Sequence, residues 1–131
     1  AKMEFDDKVP IYYQIKTVIY DQIIAGQLAP GDKLPAIRQL AVSMTVNVNT
    51  VQRALSEMIA EGVIISRRGR GNFVTDNAQI VEQLKQQLMT SYLKQLYDRL
   101  HRLNISDEQM VAELTAYIER QWDSNGNDIE D

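Results

Sequence analysis

Residues 30–74 read PGDKLPAIRQLAVSMTVNVNTVQRALSEMIAEGVIISRRGRGNFV, and this stretch decides the fold. Its apolar residues repeat at helical spacing twice, once over residues 36–44 and again over residues 48–61. Leu34-Pro35 favours extended backbone before the first helix, and Gly62 suits the left-handed residue that ends the second. The stretch predicts two short helices joined by a polar turn. The residues of the second helix expected to face the core are Val51, Ala54, Leu55, Met58 and Ile59.

A basic hairpin follows these two helices. Strand-like runs at residues 63–67 and 72–75 flank the sequence RRGRG, whose glycines permit a tight, exposed turn. Two helices, a polar turn and such a hairpin are the parts of a winged helix-turn-helix, which sets one helix in the major groove of DNA and a loop on the neighbouring backbone. The order of these parts indicates DNA binding.

Further helices are predicted on both sides of this segment. Residues 10–26 form an amphipathic core helix, and residues 1–9 before it a loose arm of mixed charge. After the hairpin, a helix extends to Leu103 and another begins at Ser106, before an acidic tail at residues 123–131 that is expected to fray. The predicted fold is mainly α with a small β wing. It divides into a winged helix-turn-helix at residues 1–76 and a two-helix dimerisation extension at residues 77–131.

The composition is that of an ordinary globular chain of 131 residues, with 44% apolar and 24% charged residues. It contains no cysteine, so disulfides and thiolate metal sites are excluded. No apolar run approaches the roughly 18 residues that a membrane span needs, and the acidic N-terminal segment lacks the features of a signal peptide. These properties favour the cytoplasm.

The net charge of -4 is unevenly distributed along the chain. Between Arg38 and Arg70 five arginines face two glutamates, whereas residues 78–131 carry five basic and ten acidic side chains. A local basic surface attracts phosphate, and an acidic remainder keeps the rest of the molecule away from it. The two parts of the chain are therefore expected to have different partners.

The second helix of the predicted helix-turn-helix carries side chains suited to reading bases. Asn and Gln can pair with the edge of adenine, Arg can pair with guanine, and a Val or Thr methyl group can pack on the methyl group of thymine. The alternative is that these residues are caps and solvated polar positions, and capping alone would account for Asn47. The candidate reading residues are Asn47, Val48, Asn49, Thr50, Gln52 and Arg53.

Arginines outside this helix are candidates for phosphate contacts. Arg38 lies on the preceding helix, where the alternative is an ordinary exposed arginine. The hairpin turn brings three arginines together with glycines that let the backbone approach a phosphate or the minor groove, and here the alternative is a solvated turn. The residues predicted to contact DNA in the wing are Arg67, Arg68, Gly69, Arg70 and Gly71.

The two helices after the hairpin carry broad apolar stripes. Two antiparallel helices of this length cannot enclose a core of their own, so the stripes must pack on another surface, and a second copy of the chain is the simplest partner. The residues predicted at a dimer interface are Leu84, Leu88, Tyr92, Leu96, Leu100, Leu114, Tyr117 and Ile118.

No catalytic or metal-binding arrangement is visible. His101 is the single histidine, and Asp107-Glu108 suit the start of a helix, where their charge complements the helix dipole. Phosphate-binding glycine motifs such as GxxxxGK[ST] and GxGxxG are absent. We therefore expect neither enzyme activity nor a cofactor.

Several ordered motifs give the chain a close resemblance to a known family. PIYYQI, PGDKLPAIRQLA, VNVNTVQRAL, EGVI and RRGRGNFV resemble the N-terminal domain of the GntR family of bacterial transcriptional regulators. The short two-helix extension resembles the YtrA-type subfamily. Val48 departs from the proline common at its position, and Ala36 from a frequent serine.

This resemblance implies a homodimeric, sequence-specific transcription factor, with repression as the expected mode, that binds an inverted-repeat operator. It assigns DNA contacts to Arg38, to the second helix and to the wing. It also allows a small effector, for which no motif specifies a pocket. Two alternatives remain at this stage, namely a winged-helix protein-interaction module and a non-specific architectural DNA binder.

Overall fold

A computed structural model describes the backbone of residues 9–129, and the loose arm predicted at the N-terminus lies almost entirely outside this range. The order of elements confirms a mainly α fold with a β wing. Within the described residues the helices are α1 (Ile11–Ile24), α2 (Ile37–Met44), α3 (Val48–Ala60), α4 (Ala78–Arg102) and α5 (Asp107–Ile129), and the strands are β1 (Ile64–Arg67) and β2 (Gly71–Val74). None of these helices is both long and apolar enough to cross a membrane.

The core of the winged helix forms where α1 packs on α3. Side chains on one face of each helix interdigitate there, and burial of each large aliphatic group stabilises the fold by about 1.5–3 kcal/mol. Ile59 was predicted to face this core but is 36% exposed, because it lies about 100° around α3 from Met58. The largest fully buried side chains are Ile15, Ile19, Val51, Met58, Ile64 and Val74.

Side chains at the starts of α2, α4 and α5 hydrogen-bond to the backbone there. The side-chain oxygen of Asn77 accepts the backbone N–H of Gln79 at 2.9 Å, and Ser106 accepts that of Gln109 at 3.1 Å. Ala36 has no side-chain acceptor, but its own N–H donates to the side chain of Gln39 at 3.2 Å. Each cap satisfies a backbone donor that the helix leaves without a partner.

The segment before α2 pairs with the outer edge of the wing. The N–H of Leu34 donates to the carbonyl of Asn72, and the N–H of Val74 donates to the carbonyl of Asp32, both at 2.8 Å. Strand β2 is thus hydrogen-bonded on both sides, to β1 and to residues 31–34. These bonds attach the wing to the start of α2.

The chain divides into two compact units, the first ending at Gln87 and the second beginning at Leu88. The first unit includes the start of α4, which the sequence-based division assigned to the extension. The second unit contains the rest of α4 and α5, separated by a turn in which Asn104 has a φ of 61°. Helix α5 continues to Ile129, so residues 123–129 are helical rather than a separate tail, and no proline interrupts them.

Candidate nucleic-acid interface

Helix α3 begins at Val48 because Asn47 caps it. The side-chain oxygen of Asn47 accepts the backbone N–H of Asn49 at 2.8 Å, which leaves the amide NH2 group of Asn47 able to donate elsewhere. The predicted reading residues follow along the first two turns. Asn47, Val48, Asn49, Gln52 and Arg53 are exposed, and Thr50 is half-buried.

The turn between α2 and α3 is held in an unusual conformation. Thr45 has a φ of 57° in the left-handed region, where β-branched residues are rarely found. Its backbone N–H donates to the carbonyl of Val42 at 3.2 Å, and its side chain is exposed. A shallow groove beside this turn is lined by Arg38, Val48 and Asn47, so the predicted phosphate contact on α2 lies next to the start of α3.

Arg53 lies against an aromatic ring of α1. Its guanidinium carbon is 3.9 Å from the centroid of the Tyr12 ring, a distance at which the planar group stacks on the ring face. Tyr12 was not among the predicted site residues, since the apolar spacing along α1 indicates only the buried face of that helix. The signal available in the sequence was the aromatic pair at residues 12–13, directly after the helix start.

The wing is a tight turn that leaves its arginines exposed. The N–H of Arg70 donates to the carbonyl of Arg67 at 2.9 Å, and Gly69 has a φ of 75°, as a type II turn requires at its third position. Arg67, Arg68, Gly69 and Arg70 are exposed, whereas Gly71 is half-buried. The guanidinium of Arg67 is 5.8 Å from the ring centroid of Phe73.

A groove runs between the wing and the start of α2, and Lys33 adds a fourth basic side chain to it. Gly71 allows this approach, since a Cβ atom on it would be 2.8 Å from Cε of Lys33. Lys33 was not among the residues predicted to contact DNA. Its place in PGDKLP, directly before the extended Leu34-Pro35, was the available signal.

The predicted DNA-contacting arginines keep their charge available to an external anion. Within the described part of the chain, the ion pairs join Lys16 to Glu57 and Glu61, and Lys94 to Asp98. None of them involves Arg38, Arg53 or the arginines of the wing. A cluster of cations without internal carboxylate partners is an electrostatic site for phosphate.

A partly buried charged network, in which Lys16 is buried and its glutamate partners are partly exposed, supports α3 from the side of α1. The ammonium of Lys16 donates to Glu61 and, at 3.2 Å, to Glu57, and the hydroxyl of Tyr20 also donates to Glu61. Burial by itself lowers the pKa of Lys16, but the hydrogen bonds and charges of Glu61 and Glu57 outweigh it and hold the pKa above its ordinary 10.5. Burial has the largest effect on the pKa of Tyr20 and raises it, and the hydrogen bond to Glu61 raises it further.

Comparisons with known proteins agree with this geometry. Residues 11–74 match the model of the bacterial regulatory proteins of the gntR family. The HTH-type transcriptional regulator YhcF of Bacillus subtilis is 36% identical over 88% of this chain and 96% of its own length. The chain belongs to the GntR family. Among GntR relatives, the B. subtilis transcriptional repressor YtrA is 36% identical over 83% of this chain and 87% of its own, which supports the YtrA-like subfamily.

Solved structures support the same assignment. A GntR-family regulator from Listeria monocytogenes has a TM-score of 0.76 and 33% identity, over 86% of this chain and 98% of its own. The AraR DNA-binding domain, solved in complex with operator ORX1, has a TM-score of 0.53 and 25% identity over 57% of this chain and 95% of its own. Membership of the GntR family establishes a transcriptional regulator with a DNA-binding domain rather than an enzyme.

The residues predicted for a GntR dimer interface occupy different environments. Leu84 is 5% exposed and belongs to the core of the chain itself. Leu88 and Leu100 are half-buried. The remaining five are exposed by 40–56%, namely Tyr92, Leu96, Leu114, Tyr117 and Ile118. The exposed apolar surface of the second unit also includes Val111 and Trp122.

Proposed function

We propose that this GntR-family chain is a sequence-specific repressor that binds an inverted-repeat operator as a homodimer in the cytoplasm. The observation that carries the proposal is a helix start with exposed polar side chains, adjoined by arginines that form no ion pair with a carboxylate in the described part of the chain. The operator complex of AraR and the repressor role of YtrA, both relatives of this chain, support it.

In this proposal α3 reads the bases of the major groove. Asn49 and Gln52 are one turn apart on its exposed side and pair with adenine, Arg53 pairs with guanine, and Val48 packs on the methyl group of thymine. These contacts distinguish one sequence from another. Each good pair of this kind contributes roughly 1–3 kcal/mol of discrimination against the wrong base.

The arginines outside α3 fix the position of the domain on the duplex. Arg38 and the exposed arginines of the wing contact phosphates, and Gly69 lets the backbone of the turn come close to the DNA. Lys33 also contacts phosphate in this proposal, because it lines the protein groove between the wing and the start of α2. Such contacts supply affinity that falls as the salt concentration rises.

The second unit joins two chains. Its exposed apolar side chains face water in a single chain, and a second copy covers them without any further partner. Two winged helices related by a two-fold axis then bind half-sites about one helical turn, roughly 34 Å, apart.

In vitro selection from a random DNA library tests the proposed activity. The expected result is enrichment of a two-fold symmetric motif, which the chain binds far more tightly than random duplexes at two salt concentrations. Equal affinity for selected and random duplexes would instead identify a non-specific architectural binder, and no binding at either salt concentration would favour a protein-interaction module.

Sedimentation tests the dimer. Replacing Leu88 and Leu96 with glutamate puts four charges into the proposed symmetric interface and is expected to produce monomers. The controls Glu82→Ala in α4 and Asp123→Ala in α5 each change one charge at an exposed residue outside the predicted interface, and they are expected to leave the dimer intact. A dimer that persists in the double variant would place the interface elsewhere.

A further inference from the structure

The contact between Arg53 and Tyr12 is tighter than the other contacts between a cation and a ring in the described residues. The guanidinium carbon of Arg53 lies 3.9 Å from the ring centroid, whereas the corresponding distances at Lys16, Arg67 and Arg120 are 5.8 to 5.9 Å. At 3.9 Å the planar group and the ring are in van der Waals contact. Tyr12 therefore confines Arg53, whose side chain is otherwise exposed.

An aromatic ring holds an arginine without neutralising it. A carboxylate in the place of Tyr12 would occupy the donors of Arg53 and cancel its charge, and within the described residues no carboxylate forms an ion pair with it. A ring face occupies none of the N–H groups that lie in the guanidinium plane. Arg53 thus remains able to donate to a base edge or a phosphate while its conformation is restricted.

The position of Arg53 connects this contact to the proposed readout. Arg53 follows Asn49 by four residues, so the two side chains lie on the same face of α3. Tyr12 belongs to the first turn of α1, an element that the winged-helix arrangement otherwise uses for the core. The contact brings α1 to the edge of the surface where α3 begins.

We propose that Tyr12 is a positioning residue for DNA recognition, which orders the guanidinium of Arg53 before the duplex arrives. The inference rests on the proposed function, because Arg53 is useful in this way only if α3 enters the major groove. Its physical basis is preorganisation: a side chain already held in its binding conformation loses less conformational freedom on binding. Without the ring, Arg53 would have to be ordered by the DNA itself.

The test is a double-mutant cycle on binding of a fluorescein-labelled duplex recovered by selection with the wild-type chain. An exposed contact between a cation and a ring corresponds to roughly a two- to fivefold change in an equilibrium constant. Tyr12→Leu is expected to weaken binding by this factor for each half-site, whereas Tyr12→Phe, which keeps the ring, restores affinity. In an Arg53→Ala background, Tyr12→Leu is expected to change the affinity less than twofold.

Tyr13→Leu is the matched control, because Tyr13 is on the same turn and its ring neighbours Lys16 rather than Arg53. Thermal unfolding of each variant reports any general loss of stability. The positioning role is overturned if Tyr12→Leu binds like the wild type, if Tyr12→Phe is as weak as Tyr12→Leu, or if Tyr12→Leu is equally damaging without Arg53. If the wild-type chain selects no sequence at all, the proposed function fails and this inference fails with it.

Discussion

Replacing Lys16 with methionine tests how α3 is held against α1. The substitution keeps most of the aliphatic side chain and removes the ammonium group that donates to Glu57 and Glu61. Lys16 is 8% exposed, so this ammonium is one of the few buried charges in the winged helix. We expect a measurable loss of stability rather than a loss of the fold.

The size of the loss follows from the surroundings of the network. A hydrogen bond to a charged group contributes about 1.5–3 kcal/mol when it is buried. The side chains of Glu57 and Glu61 are 37% and 45% exposed, so in the variant water can hydrogen-bond to their carboxylates in place of the Lys16 ammonium. With this screening the expected decrease in the free energy of unfolding is about 1–2 kcal/mol at pH 7.

The stability that Lys16 contributes depends on pH in a definite direction. The pKa of Lys16 is raised above 10.5 in the folded chain. The contribution of Lys16 to the free energy of unfolding is therefore fully present below pH 10.5 and is lost as the pH rises through the folded pKa. The difference between wild type and Lys16→Met is therefore constant from pH 7 to pH 9.5 and shrinks at higher pH. The raised pKa of Tyr20 has the same sign, and Tyr20 is present in both proteins.

Urea unfolding followed by circular dichroism at 222 nm, at one protein concentration and at several pH values, measures this difference. Lys94→Met is the control, because Lys94 forms an exposed ion pair within α4 and its loss is expected to change the unfolding midpoint little. A Lys16→Met protein as stable as the wild type at pH 7, or a difference that grows above pH 10.5, would refute the reasoning.

Three further substitutions separate affinity, specificity and backbone strain. Arg70→Ala is expected to lower the slope of log affinity against log salt by about 0.9 for each bound half-site, and an unchanged slope would remove Arg70 from the phosphate contacts. Gln52→Ala is expected to change the preferred base at one position of each half-site, and an unchanged selection profile would exclude Gln52 from the readout. Thr45→Gly is expected to raise the free energy of unfolding by about 1 kcal/mol, since it relieves a left-handed β-branched residue, and urea unfolding would contradict this by showing a loss.

The elements of the fold could be predicted from the sequence because their signals are local. Asn47, Asn77 and Ser106 each cap a helix through a backbone group two or three residues away. The turn of the wing likewise depends on Gly69 and its immediate neighbours. The hydrophobic spacing and these short-range signals therefore locate the helices and strands to within a residue or two, except at the end of α5.

Contacts between distant residues could not be predicted in this way. Lys16 meets Glu57 across 41 positions, and Tyr12 meets Arg53 across a similar separation, so neither pair leaves a periodic trace in the sequence. The apolar spacing of α4 also cannot distinguish Leu84, which packs inside the chain, from Leu96, which is exposed. Such distinctions depend on which surfaces the fold brings together.

The affinity of the intact chain for its selected duplex, relative to a scrambled duplex of the same composition, is the most direct test of sequence-specific DNA recognition by this protein. Measured by fluorescence anisotropy at physiological salt, the selected duplex is expected to bind at least about 1,000-fold more tightly. The preference should persist as salt rises and both affinities fall, because base contacts rather than phosphates carry it. Equal affinities for the two duplexes would contradict the account.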